Sequence, residues 1–340
     1  MTAREIVLEQ IHHRETFPIP FTLGFEGDVE QRLDEYYGGK AWQNWLTPYI
    51  VSLMAVDTVR EEQISDSHTR DIFGGIWRND RRPFHLEQPA LIAPSFENYI
   101  FPDADAFLDD DQKKSAQKAF EDHPESFRVA VIGWGLFEQS WRIRGFDNAL
   151  MDAVTEPNFY KELLGRLTEL YLDFVNYCSD LPADAIMFGD DWGDQRGVIL
   201  GPERWREFLK PCWAKVYEAV HAQGKFVISH GCGSVLDIMP DIIEIGMDVF
   251  ESVQPEAAGM NPYDLKKKWG DRIVFWGCLG SQSTIPFGTP EQIKTEVRLL
   301  CKEMGRGGGY ILSPAKALQP ETPTENAAAV VEAFTNQERD

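Results

Sequence analysis

The sequence predicts an α/β fold of the (β/α)8 TIM barrel class, formed as a single domain over residues 1–340. Three observations carry this expectation. Six apolar bursts end in polar or glycine-rich tips, at 128–134, 185–191, 226–230, 248–253, 272–277 and 309–313. Stretches of helical periodicity separate them. Two earlier apolar stretches, 18–25 and one within 49–57, bring the strand count to eight. A doubly wound open sheet is the runner-up, but no Gly-x-Gly-x-x-Gly follows the first strand to support a dinucleotide site.

In chain order, residues 2–13 form a short amphipathic helix with Ile6, Val7 and Ile11 on one face, an N-terminal extension to the barrel. Pro18 to Phe25 reads as the first strand. A charged helix at about 28–37 ends at Gly38-Gly39, a suitable C-cap. The second strand lies within 49–57. Residues 58–95 are polar with β-like scraps, most simply a hairpin insertion, and 103–122 is helical and heavily charged. Helices are then expected at 156–178, 201–222, 235–245, 261–269 and 289–303. Glu156-Pro157 and Gly201-Pro202 place proline near the first helical position, and Thr289-Pro290 offers an N-cap followed by proline.

Composition narrows the functional classes. No run reaches the roughly 18 apolar residues of a membrane span, and the N-terminus lacks the apolar segment of a secretory signal. Five cysteines (178, 212, 232, 278 and 301) at scattered spacings fit reduced cytoplasmic thiols better than a disulfide framework. A net charge of −22, from 55 acids against 33 bases, argues against nucleic acid and anionic membranes as partners.

A barrel of this class keeps its chemistry at the carboxyl ends of its strands. The richest tip is Phe226-Val-Ile-Ser-His-Gly-Cys-Gly233. His230 and Cys232 stand two apart and point the same way if the strand continues, so they make two legs of a zinc site. A core histidine and a buried cysteine beside a turn are the bland alternative. Asp190 and Asp191 end the strand before it, with Trp192 next. Two adjacent carboxylates resist joint ionisation, and successive strand residues point opposite ways. One is therefore expected in the pocket and the other bracing the neighbouring loop, unless the pair simply caps a helix. Trp134, Gln254, Glu256, Cys278 and Lys316 complete the rim, although a solvated Glu256, a space-filling Cys278 and a surface Lys316 are equally ordinary readings.

From about Gly189 onward, these residues resemble the uroporphyrinogen decarboxylase superfamily, in particular its corrinoid-dependent methyltransferase branch. The carrying segments are Gly189-Asp-Asp-Trp-Gly193, Gly201-Pro-Glu-Arg-Trp205, His230-Gly-Cys-Gly233, Gln254-Pro-Glu256, Phe287-Gly-Thr-Pro290 and Pro323-Thr-Glu-Asn326. The first 185 residues match less sharply. The decarboxylase's own N-terminal signature, Arg-Gln-Ala-Gly-Arg-Tyr, is replaced by Phe21-Thr-Leu-Gly-Phe-Glu-Gly27. The resemblance thus implies the same barrel with a methyltransferase activity. A methyl group would move between a small methylated substrate, or a thiol, and a corrinoid carried by a partner protein. In that branch zinc is held by the His-x-Cys pair and a later cysteine. His230 and Cys232 match the pair, while the later segment reads Ser313-Pro-Ala-Lys-Ala-Leu318 and has no sulfur. Cys278 is the expected third ligand; Asp190, Asp191 or Glu256 could serve instead, or no metal is held. On this reading Asp190, Asp191 and His230 are the catalytic candidates. Trp134, Trp192, Gln254 and Glu256 contact substrate, with Trp134 as an apolar wall. A metal-free lyase or decarboxylase of the same fold and a non-catalytic small-molecule-binding barrel remain the alternatives.

Overall fold

The computed structural model describes residues 1–338. Its centre is a curled, fully parallel sheet of seven strands. In chain order, β1 (Ile50–Val56) opens this sheet, and β2 (Glu61–Gln63), β3 (His68–Asp71), β4 (Ile76–Arg78) and β5 (His85–Gln88) form a separate antiparallel one. The central sheet resumes with β6 (Phe127–Trp134), β7 (Ala185–Gly189), β8 (Phe226–His230), β9 (Val249–Val253), β10 (Val274–Leu279) and β11 (Tyr310–Pro314), each beside its predecessor. Helices covering a parallel sheet leave little room for polar side chains in its strands. All six residues of β10 are accordingly buried.

The eighth strand, expected at 18–25, is not formed as a strand. Phe21 and Phe25 make isolated parallel bridges to Leu312 and Leu318 beside β11. Pro18 and Pro20 have no N–H to give, which leaves too few donors for a continuous ladder. Phe21 also meets Tyr49, just before β1, edge-on at 5.3 Å. Where a hairpin was expected, residues 61–88 build four short strands.

Helices occupy every stretch where they were expected, including Ala3–Ile11, Val29–Tyr37, Asp110–Asp122 and Pro157–Tyr177. Thr289 caps Pro290–Gly305 through a reciprocal pair with Gln292. The stretch from 202 to 222 is broken by a π turn at Trp205–Leu209. Pro211, which cannot donate a backbone hydrogen bond, lies two residues past that turn. The sequence reading missed Leu136–Arg144, Phe146–Thr155 and Thr324–Thr335. Among the described residues, no helix is long and apolar enough to cross a membrane.

Candidate active site

Strand register brings the site together. Gly189 at the end of β7 pairs with His230 at the end of β8, and His230 pairs with Glu251 on β9. These residues lie at one level, next to the loops that leave the carboxyl edge of the sheet. The loops after β7 and β8 then run in close contact. Gly233 has a φ of +78°, and a Cβ there would sit 2.6 Å from the Asp194 carbonyl oxygen. Only glycine permits both that backbone conformation and that approach.

The contact places Asp191 against Cys232. Asp191 Oδ1 accepts the Cys232 backbone N–H at 2.8 Å and lies 3.7 Å from His230 Nε2. Cys232 Sγ is 3.5 Å from the same Nε2. The three ligand atoms of Asp191, His230 and Cys232 all lie within 4.8 Å of one another, and the three residues are half-buried. The other ring nitrogen, His230 Nδ1, is hydrogen-bonded to Glu251 Oε2. Burial alone would lower the His230 pKa, but the Glu251 charge and the contact with Cys232 overcome it and hold the value well above the ordinary range.

Asp190 points elsewhere. It is fully buried and accepts four hydrogen bonds: the Phe137 and Glu138 backbone N–H groups at 3.1 and 3.0 Å, and the Trp192 and Trp213 indoles at 2.7 and 3.0 Å. Its carboxylate therefore caps the helix Leu136–Arg144 from a distant part of the chain. The strand-to-helix turn at Gly135 admits it, because a Cβ there would meet the Asp190 Cβ at 2.7 Å. Burial pushes the Asp190 carboxyl up to about 7 against the pull of these donors.

The remaining candidates divide. Gln254 is buried, and its Oε1 accepts the Gly233 N–H at 3.1 Å. It lines a cavity of about 630 Å³ together with His230, Cys232, Glu251, Gln195, Gln282 and Lys316. Trp134, Trp192 and Glu256 do not line that cavity. Trp134 packs on Trp141 at 5.5 Å and under the Arg142 guanidinium at 5.4 Å. Trp192 is a buried brace whose indole N–H is committed to Asp190. Glu256 Oε1 accepts from the Gln282 N–H and the Ser283 hydroxyl, both at 2.8 Å.

Cys278 does not join His230 and Cys232, contrary to the sequence expectation. Gly277 and Cys278 take φ values of +124° and +78°, beside a register shift between β10 and β9. These left-handed residues break the regular alternation of the strand, and the fully buried thiol ends beside Tyr310 and Lys266. Burial pushes its pKa far up.

Two residues escaped the sequence reading. Glu251 sits mid-burst in an apolar strand, and its signal was a lone carboxylate inside Val249–Val253. Glu138 sits in a helix that carries no local side-chain cap. It is buried, so its pKa is raised to about 9, further helped by the charges of Asp190 and Asp191.

A sequence model of the family described as uroporphyrinogen decarboxylase (URO-D) matches residues 139–337, more than half of the chain. The chain belongs to the uroporphyrinogen decarboxylase family. Its curated relatives include both decarboxylases and a methyltransferase. Uroporphyrinogen decarboxylase of Coxiella burnetii is 28% identical over 188 residues, covering 53% of this chain and 48% of the relative. The methylcobamide:CoM methyltransferase MtaA of Methanosarcina barkeri is 26% identical over 181 residues, covering 53% and 50%. The chain thus spans about half the length of the curated relatives it matches. A solved methyltransferase from Methanosarcina mazei superposes with a TM-score of 0.69 at 18% identity, covering 98% of both chains, and shares the fold.

Proposed function

We propose that this family member is a zinc-assisted methyltransferase that moves a methyl group between a small substrate and a corrinoid carried by a partner protein. The observation that carries the reading is the meeting of His230 Nε2, Cys232 Sγ and Asp191 Oδ1 at the carboxyl edge of the sheet. We read that sheet, with the Phe21–Phe25 segment beside its last strand, as an (β/α)8 barrel with its chemistry at that edge. Kinship with a methyltransferase points the same way.

The donor set fits the metal. One imidazole, one thiolate and one carboxylate match zinc in number and softness and leave a fourth position for substrate. Asp191 supplies the third ligand that neither Ser313–Leu318 nor Cys278 provides. When bound, zinc would acidify a thiol substrate or polarise a methoxy or amine group.

The protein's own groups do the rest. Asp191 fixes the Cys232 loop through its backbone N–H, and Gln254 fixes Gly233. Gln254 Nε2 and Lys316 Nζ, in the cavity wall, have no acceptor among the described residues. Both can donate to a substrate that carries an acceptor.

Metal analysis of the purified protein, joined to spectroscopic assay of methylcobalamin with a panel of small thiols and methoxy compounds, tests the reading. About one zinc per chain and zinc-dependent loss or gain of the methylcobalamin spectrum are expected. Zinc-free protein with no methyl transfer would overturn it.

A further inference from the structure

Glu251 stands where a buried apolar side chain would be expected. Its neighbours in β9 are Val249, Phe250, Ser252 and Val253, all buried. The Glu251 side chain is itself only 16% exposed, and its partner is His230. Parallel register sets the pair side by side on adjacent strands, about 4.8 Å apart in backbone spacing. The same residue also holds the backbone there, since its carbonyl oxygen accepts the Gly231 N–H at 2.6 Å. A carboxylate buried in a strand costs several kcal/mol unless it is compensated. Packing gives no reason to keep one at this position.

We infer that Glu251 is a positioning residue that orients His230 as a metal ligand. This rests on the metal reading above. A carboxylate at Nδ1 requires the proton to lie on that nitrogen. Nε2, the nitrogen that would give up its proton to a metal, then faces the side where Cys232 Sγ and Asp191 Oδ1 lie, 3.5 and 3.7 Å away. Without Glu251, the neutral ring is free to carry its proton on Nε2, where it would block metal binding, or to turn about its last side-chain bond. Carboxylates behind metal-bound histidines raise ligand basicity and fix the tautomer, and their loss typically costs 10–100-fold in metal affinity. Glu251 acts on the metal through His230.

The test compares wild type, Glu251→Gln and Glu251→Ala by two readouts. Zinc affinity is measured by competition with a chromophoric chelator. The His230 Nδ1 proton is followed by ¹H–¹⁵N NMR in metal-free protein. In wild type this proton should be protected from exchange and shifted downfield, and it should disappear in Glu251→Ala. Zinc affinity should fall about 10–100-fold in Glu251→Ala and less in Glu251→Gln, whose amide oxygen can still accept from Nδ1. Absence of the protected proton in wild type, or wild-type zinc affinity in Glu251→Ala, would overturn the inference. A protected proton in a wild-type protein that binds no zinc would defeat the metal reading while leaving the orienting contact in place.

Discussion

Asp190 and Asp191 are consecutive residues whose carboxylates part at the end of β7. Asp190 is sealed under Trp192 and Trp213 at 2.7 and 3.0 Å, while Asp191 lies 3.7 Å from His230 Nε2. Their substitution by asparagine should therefore produce opposite phenotypes. Asp191→Asn removes an anionic ligand and keeps an oxygen for the Cys232 N–H, so zinc affinity should fall at least about tenfold with little change in melting temperature. Asp190→Asn turns an amide donor toward a ring of four donors, so stability should fall by about 2–4 kcal/mol. Denaturant titration and metal competition on both variants separate these outcomes. Equal effects of the two substitutions on both measurements would contradict the assignment.

The cysteines offer a second dissociation. Cys232→Ser should lower zinc affinity at least about tenfold, because a hydroxyl is a poor replacement for a thiolate. Cys278→Ala should keep wild-type zinc and lose about 1–2 kcal/mol of stability from the small space opened in the core. Its thiol faces Tyr310 and Lys266. Zinc lost on replacing Cys278 would show that the β10 tip belongs to the site after all.

What the sequence disclosed and what it hid follow from one physical distinction. Strands β6 to β11 announce themselves because a covered parallel strand must be continuously apolar, as in Val274–Leu279. His230 and Cys232 were visible because they break such a run at its end. The helix Leu136–Arg144 was invisible because its cap, Asp190, lies 53 residues downstream of Phe137. Cys278 misled because a thiol at a strand end reads as a rim ligand, whereas the backbone at Gly277 and Cys278, with φ of +124° and +78°, turns it into the core. The segment after Pro18 has the composition of a strand but not the donors, so it yields two bridges at Phe21 and Phe25. Glu251 needed the register between β8 and β9, which no single sequence states.

Acid stability should depend on Asp184, which ties the N-terminal helix to β6. Arg4 Nη2 reaches Asp184 Oδ1 at 2.7 Å, and the Arg128 backbone N–H reaches Oδ2 at 2.9 Å. Burial raises this carboxyl, but the hydrogen bonds from Arg4 and Arg128 outweigh it and leave its pKa lowered. A lowered carboxyl contributes stability that is present above the ordinary aspartate value and lost as pH falls through the folded value. Asp184→Asn should cost about 1–2 kcal/mol at pH 7, discounted for the partly exposed Arg4, and should flatten the acid limb of a stability–pH curve. Parallel acid limbs in variant and wild type would rule this out.

Glu138 should act in the opposite direction and at the other end of the pH scale. Its carboxyl is 8% exposed and has its pKa raised to about 9, mainly by burial and then by Asp190 and Asp191. The folded protein thus holds a proton that the unfolded chain releases above about pH 4 to 5. Stability from this group is fully present below the unfolded value and drains away as pH rises toward about 9. Glutamine has the shape of the protonated acid, but it cannot ionise. Glu138→Gln should therefore fold normally, match wild type near pH 5, and exceed it in melting temperature by several degrees at pH 8 to 9. Thermal melts of metal-free protein across that range provide the measurement. A variant that loses stability at pH 5, or that keeps the full alkaline decline, would show that Glu138 is not the buried acid responsible.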